Sequence, residues 1–280
     1  MIAAVTSASI PAVRIEPIDD VDDVRLADYR AAIAGTGGTQ GVFLAEGRLV
    51  VRKLLAADRF RTRSVLVTPA ALSGLRDALA TAAEVPVYVT TSPAVLRSTI
   101  GYRFSRGCLA AGEVGATGSL EAILAARPKL LVVLDRVTDP DNVGAVFRSA
   151  QAFGAGGALL APGTGDPLYR KAIRVSMGAA LEVPYAEAPV WPAEIVRLRA
   201  AGFTIVALTP RGDVELGALG SLRPLPGRVA LVIGGESTGI GAEVLRASDL
   251  RVRIEMEPGV DSLNLAAAAA IALHGLRRSP

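Results

Sequence analysis

From Lys129 onward the chain alternates regularly between apolar runs and helical spacing, and this pattern constrains its fold more than any other feature. The apolar runs are LLVVL (130–134), ALLA (158–161), FTIVAL (203–208), VALVIG (229–234) and LRVRIEM (250–256). Helical segments separate them, starting near Asn142 and at about 167–178, 193–201, 240–247 and 262–277. Near-continuous apolar strands suit a parallel sheet covered on both faces. Strand–helix alternation is how such a sheet is connected. The expected class is therefore α/β with a mainly parallel sheet. Hydrophobic residues make up 51% of the chain and aromatics only 4%, so its core must rest on Ala, Val, Leu and Ile.

The N-terminal half reads as a smaller α/β unit. An acidic cluster (Asp19, Asp20, Asp22, Asp23) precedes a short helix at 24–34, and Gly35, Gly37, Gly38 and Gly41 mark a loop. FLAEGRLVVRKLLAA predicts a strand end turning into an amphipathic helix, with Leu49, Val50, Leu54 and Leu55 on its apolar face. SVLVT (64–68) and VPVYVT (85–90) read as strands flanking a helix over 69–83, and Ser92 with Pro93 opens another helix. Expected boundaries are 1–112 for this unit, 113–128 for a Gly- and Pro-containing linker with a short helix at 119–126, and 129–280 for the regular α/β domain.

Composition narrows the function classes. Cys108 is the only cysteine, so an internal disulfide and a cysteine-based zinc site are excluded. No metal is expected. The first twenty residues lack a basic segment leading into an apolar one, and no unbroken apolar run reaches membrane-spanning length. The expectation is a cytoplasmic protein in a reducing compartment, with no membrane partner. Thirty Lys and Arg against 27 Asp and Glu give a net charge of +3, compatible with a polyanionic partner.

Three segments at strand ends carry the candidate chemistry. LDRVTDPDNVGAVFRSAQAFG (134–154) follows a buried strand and opens a helix, a common place for ligand sites in open sheets. Asn142 reads as its cap, and the fork of Arg148 suits a phosphate. LVIGGESTGIG (231–241) brings Gly234, Gly235, Gly239 and Gly241 around Glu236, so backbone can approach a ligand closely. IEMEPGVDSLNLAAAAAIAL (254–273) turns at Pro258-Gly259, with Asp261 or Ser262 as cap and Ser262 and Asn264 in the first helical turn. Each segment taken alone is also ordinary turn and cap chemistry.

In this order the three segments resemble the SpoU (TrmH-like) branch of the SPOUT RNA 2′-O-ribose methyltransferases. They match that family's Asn–Gly–Arg motif, Gly–x–Glu loop and Ser–Leu–Asn helix start. IRVSMGAALEVP (173–184) matches a further family stretch, and FLAEGRLVVRKLL resembles the start of its ribosomal-protein-L30e-like substrate-binding domain. Two departures stand out: Gly235 replaces a frequent Asn, and Glu255-Met256-Glu257 precedes Pro258-Gly259 where Pro-Met is frequent.

The resemblance implies a trefoil-knotted catalytic domain, a homodimer formed through it, and S-adenosylmethionine as cofactor. It implies cofactor contacts at Thr209, Gly234, Ile254 and Leu263. It places Arg148 at the target ribose of rRNA or tRNA, with Asn142, Glu236, Ser262 and Asn264 completing the site. Arg148 is the family's proposed proton acceptor. A guanidinium stays protonated far above neutral pH, so Arg148 as phosphate anchor, with Ser262 or Asn264 orienting the hydroxyl, is an equal alternative. RNA contacts are expected from Arg48, Arg52, Lys53, Arg59, Arg61 and Arg63.

Two other readings compete. Gly235-Glu236-Ser237-Thr238-Gly239 fits the nucleophile-elbow pattern of a serine hydrolase, with Asp249 or Asp261 and then His274 in order. His274 is the only histidine, however, and it falls deep within one helical run rather than on a loop. A catalytically silent SpoU-like RNA-binding protein is the other, opposed by the presence of all five candidate catalytic residues.

Overall fold

The computed structural model describes residues 13–34, 41–100, 107–115, 118–221 and 227–277. The glycine loop expected at Gly35, Gly37 and Gly38 and the first twelve residues lie outside the described residues. Two units divide between Gly115 and Ala116.

In the first unit the strands are β1 Ile15–Pro17, β2 Val42–Glu46, β3 Arg61–Val67, β4 Val87–Val89 and β5 Cys108–Glu113. They form one sheet in the order β1-β4-β3-β5-β2, antiparallel where β5 meets β2 and β3 and parallel elsewhere. The helices are α1 Ala27–Ala34, α2 Arg48–Leu55, α3 Pro69–Ser73, α4 Arg76–Ala80 and α5 Pro93–Ile100. Ser92 Oγ accepts the Val95 N–H at 3.4 Å ahead of Pro93, as the spacing predicts. The single helix expected over 69–83 is instead two short ones, broken at Gly74, whose carbonyl accepts from Arg52 Nη2 at 2.8 Å. On α2 the buried residues are Val50, Val51 and Leu54, while Leu49 points outward. β5 has no signal in the sequence because its Ala and Gly lack β-branched bulk. Its Gly112 leaves room for a ring instead: a Cβ there would lie 2.3 Å from Phe43 Cζ.

The second unit holds β6 Leu130–Asp135, β7 Ala158–Leu160, β8 Tyr185–Glu187, β9 Phe203–Leu208, β10 Val214–Glu215, β11 Arg228–Gly234 and β12 Leu250–Arg253. All neighbours pair in parallel, in the order β10-β12-β9-β11-β6-β7-β8. The helices are α6 Leu120–Ala125, α7 Pro140–Ala152, α8 Arg170–Val175, α9 Ala179–Glu182, α10 Glu194–Ala200, α11 Ala242–Ala247 and α12 Leu265–Leu276. Side chains alternate across the sheet as strand geometry requires. Leu131 and Val133 of β6, Ile205 and Ala207 of β9, and Ala230 and Val232 of β11 share one core with Ile123 of α6, Leu198 of α10 and Val244 of α11. On another side of the unit, α7 packs against α8 and α12. No described helix is long and apolar enough to cross a membrane.

Three helix boundaries differ from the sequence reading. α7 starts at Pro140, not Asn142, because proline pre-sets the first helical turn and moves the cap back to Asp139. Asp139 Oδ1 accepts the Asp141 N–H at 2.8 Å. The helix expected over 167–178 ends at Val175, and left-handed Met177 (φ 53°) and Gly178 (φ 79°) turn the chain into α9. α12 is capped by Asn264, not by Asp261 or Ser262. Asn264 Oδ1 accepts from the N–H groups of Ala266 (3.0 Å) and Ala267 (3.3 Å).

The loop after β9 passes directly against β12. The Thr209 N–H donates to Val252 O at 2.9 Å, and Arg253 Nη1 donates to Gly212 O at 2.8 Å. A Cβ on Gly212 would lie 2.4 Å from Val252 C and 2.5 Å from Arg253 N. Gly212→Ala should therefore destabilise the protein by about 1–3 kcal/mol, an overpacking effect. Calorimetry should record a melting point several degrees lower; an unchanged one would mean the loop and strand are not in backbone contact.

Candidate functional site

Parallel strands all present their C-terminal ends at one edge, and ligand sites of open α/β sheets collect there. At this edge β6 ends in Asp135, whose side chain is buried. Asp135 holds both ends of the glycine-rich segment that follows β11. Its carbonyl accepts the Gly235 N–H at 3.0 Å, and its Oδ2 accepts the Gly241 N–H at 2.7 Å. Within the segment the Gly239 N–H donates to Gly235 O at 2.8 Å. The glycines are needed for this fold: a Cβ on Gly234 would sit 2.3 Å from Gly239 C and Ile240 N.

The next residue, Arg136, is left-handed (φ 58°), a conformation that costs a side-chain-bearing residue roughly 1–2 kcal/mol. This turn explains Gly235. A Cβ at position 235 would lie 2.3 Å from the Arg136 carbonyl oxygen, so the Asn frequent at this motif position does not fit here. Arg136 Nε lies 3.3 Å from Asp135 Oδ1.

Two cavities lie at this edge. One, of about 460 Å³, is lined by the loops after β9, β11 and β12 and by the start of α12. It is mostly apolar (Leu208, Ile233, Ile240, Ile254, Leu263, Leu265). Among the described residues that line it, Glu236 is the only charged one. The second, of about 350 Å³, is lined by residues after β6, by Asn142 of α7 and by the Gly235–Thr238 segment. Gly235, Glu236 and Leu265 border both cavities.

The larger cavity brings together seven of the sequence candidates: Thr209, Gly234, Ile254, Leu263, Glu236, Ser262 and Asn264. Asn142 joins Glu236 at the smaller one. Arg148 is exposed on α7 and borders neither. Gly144, in the same motif, serves packing: a Cβ there would lie 2.6 Å from Ala172 O on α8. Beside this contact, Lys171 pairs with Asp141 at 2.8 Å, which raises the lysine pKa. Sequence reasoning missed Arg136 and Asp135. Asp135 reads as the last residue of an apolar strand, and the left-handed turn after it carries no glycine signal.

The hydrolase constellation does not form. The ring of His274 packs edge-on against Phe153 with centroids 5.5 Å apart, and Asp249 Oδ2 accepts the Ile205 N–H at 2.8 Å. Ser237 lies instead at the smaller cavity. Among the described residues, no cluster of three or more His, Cys, Asp or Glu could hold a metal ion.

In the first unit, the expected RNA-contacting cations are partly engaged within the fold. Arg52 pairs with Asp77 at 2.6 Å, Arg61 with Glu113 at 3.2 Å, and Arg63 with Asp28 at 3.0 Å. The Arg52 hydrogen bond holds the Asp77 carboxyl below its usual pKa. The guanidinium of Arg59 lies over the Phe60 ring at 5.1 Å. Lys53 is half-buried, and Arg48 is exposed, its guanidinium beside Gly74.

Residues 129–274 match the model of the SpoU rRNA Methylase family. A Mycobacterium tuberculosis protein described as an uncharacterized tRNA/rRNA methyltransferase is 38% identical over 273 residues, covering 95% of this chain and 92% of its own. The AdoMet-bound rRNA methyltransferase of Sinorhizobium meliloti is similar in structure, with a TM-score of 0.77 at 26% identity, covering 93% of this chain and 97% of that one. The SpoU methyltransferase AviRb of Streptomyces viridochromogenes, in complex with AdoMet, superimposes with a TM-score of 0.75 at 25% identity, covering 90% and 97%.

The contact between Gly235 and Arg136 is testable. Gly235→Asn should force the two turns apart and lower stability by about 1–3 kcal/mol. A thermal melt indistinguishable from that of the unsubstituted protein would show that the turns do not meet as described.

Proposed function

The chain belongs to the SpoU rRNA methylase family, and on that premise we propose that it transfers a methyl group from S-adenosylmethionine to a ribose 2′-hydroxyl of rRNA or tRNA. The observation that carries this reading is the shared wall: Gly235, Glu236 and Leu265 border both a cofactor-sized cavity and a second one lined by Arg136, Asp139 and Asn142. The larger cavity falls in the usual size range of small-molecule sites. Its lining suits the cofactor. Apolar side chains can take the adenosine, and the single charge, from Glu236, favours a sulfonium cation and disfavours a polyphosphate. The AdoMet complexes of the Sinorhizobium and Streptomyces proteins support the same assignment. Thr209, Gly234, Ile254 and Leu263 would hold the cofactor.

When bound, S-adenosylmethionine supplies an electrophilic methyl carbon, so that the ribose oxygen–carbon bond forms as the sulfur–carbon bond breaks and the hydroxyl loses its proton. The residues of the chain bind, orient and accept. Asn142, at the smaller cavity, would bind the ribose edge. Asn264 uses its Oδ1 to cap α12, which leaves its amide N–H groups for the acceptor oxygen. The Glu236 carboxylate borders both cavities and is exposed, so its oxygen is better placed and chemically better suited than a guanidinium to take the proton. Holding the reactants in line accounts for much of the rate.

Calorimetry should detect S-adenosylmethionine binding, and labelled rRNA or tRNA digested to nucleosides should yield 2′-O-methylnucleosides. Glu236→Gln should lower kcat at least tenfold, because an amide accepts no proton at neutral pH. A base-methylated product would replace the 2′-O assignment. Absence of cofactor binding would favour the silent RNA-binding reading.

Arg148 borders neither cavity of its own chain, and α12 exposes Ile271. Both fit a homodimer through the catalytic unit, with Arg148 of one subunit gripping a phosphate at the other's smaller cavity. The backbone contact of the Gly212 loop with β12 fits the trefoil knot of the family. The first unit serves as the L30e-like RNA-binding domain. Mixing inactive Arg148→Ala and Glu236→Gln proteins should restore up to about a quarter of the activity through mixed dimers, a statistical expectation for symmetric pairs. A mixture as inactive as its components would place Arg148 in its own subunit's site.

A further inference from the structure

We propose that Arg136 is an RNA-binding residue that grips a phosphate of the acceptor strand at the smaller cavity, an inference that rests on the reading of that cavity as the acceptor site. Arg136 is the one cationic side chain among the described residues that line it, and Asp139 and Glu236 line it too. Without a cation, those two carboxylates would repel a phosphodiester brought against them. A strand whose ribose enters this cavity must bring its phosphates to the same rim.

Two further observations set Arg136 apart from an ordinary surface arginine. Three non-glycine residues have positive φ in the described chain, Arg127, Arg136 and Met177, and only Arg136 lines either cavity. Such turns ordinarily take Gly, Asn or Asp. Strained backbone of this kind persists where surrounding structure enforces it and clusters at ligand sites. The guanidinium is also held in place. Its Nε lies 3.3 Å from Asp135 Oδ1, an oxygen that is buried and has no hydrogen-bond partner, and its Nη2 lies over Gly241. The side chain is nevertheless 43% exposed. A cation aimed by a buried carboxylate and half open to solvent is arranged to receive an anion bidentately. Like most phosphate contacts, it would set the position of the strand without reading its sequence.

The rival role is purely structural, with Arg136 only neutralising Asp135 and bracing the Gly234–Gly241 segment. Arg136→Asn keeps a residue that tolerates the left-handed turn and removes the charge; Arg136→Lys keeps the charge and removes the fork. Affinity for a fluorescent single-stranded oligoribonucleotide, measured across a KCl series without cofactor, is compared with S-adenosylmethionine affinity from calorimetry. For Arg136→Asn the expected result is an RNA affinity about tenfold weaker and a log–log salt slope shallower by about 0.7. Arg136→Lys should recover the slope but only part of the affinity, and cofactor affinity should be unchanged in both variants. An unaltered RNA affinity and slope would overturn the proposal. So would a parallel loss of cofactor affinity, which is what bracing predicts. If the unsubstituted protein binds no S-adenosylmethionine, the methyl-transfer reading fails by itself, and the salt slope still decides the role of Arg136.

Discussion

Asp135 is a buried carboxylate at the end of the interior strand β6, and both cavities are organised around what it holds. Burying a carboxylate is costly unless donors surround it. Here its main-chain and side-chain oxygens together accept the N–H groups of Gly235 and Gly241, at the two ends of the segment carrying Glu236. An otherwise loose glycine-rich connection thus gains two fixed points. The shared wall of the two cavities is placed by a strand end rather than by a loop alone.

Close backbone approach is the second constraint. Gly234 packs on Gly239 and Ile240, Gly235 on the Arg136 carbonyl, and Gly212 on the β12 backbone. In each case a Cβ would fall within 2.4 Å of a backbone atom. Backbone packed this tightly lets three connections from one sheet edge enclose a cavity of about 460 Å³ with no aromatic side chain among the described residues of its lining. That economy matches a chain with 4% aromatic residues.

Charge is distributed to match. The larger cavity carries one carboxylate, and the smaller carries two carboxylates with one guanidinium. On the proposed reading, a cationic cofactor and a polyanionic acceptor would be met by different surfaces on either side of Glu236. In the first unit, ion pairs of Arg52, Arg61 and Arg63 already use part of the basic cluster for folding. Exposed pairs such as Arg52–Asp77 and Arg61–Glu113 are worth little individually.

Sequence alone determined the parallel α/β unit, because strands covered on both faces leave unbroken apolar runs that periodicity reads directly. It also placed Thr209, Gly234, Glu236, Ile254, Ser262, Leu263 and Asn264 at strand ends and helix starts, and the structure gathers them at one cavity. β5 and the breaks at Gly74 and Met177–Gly178 were not legible, since local propensity there is weak and neighbouring segments decide. Nor could spacing show that Asp139 and Asn264, not Asn142 and Ser262, cap their helices, because adjacent residues compete for one capping position. Only the tertiary structure decided the pairing of Asp135 with Gly241, 106 residues apart, and with it the turn at Arg136. A hydrogen bond across that separation depends on which strands become neighbours, and no local pattern records that choice.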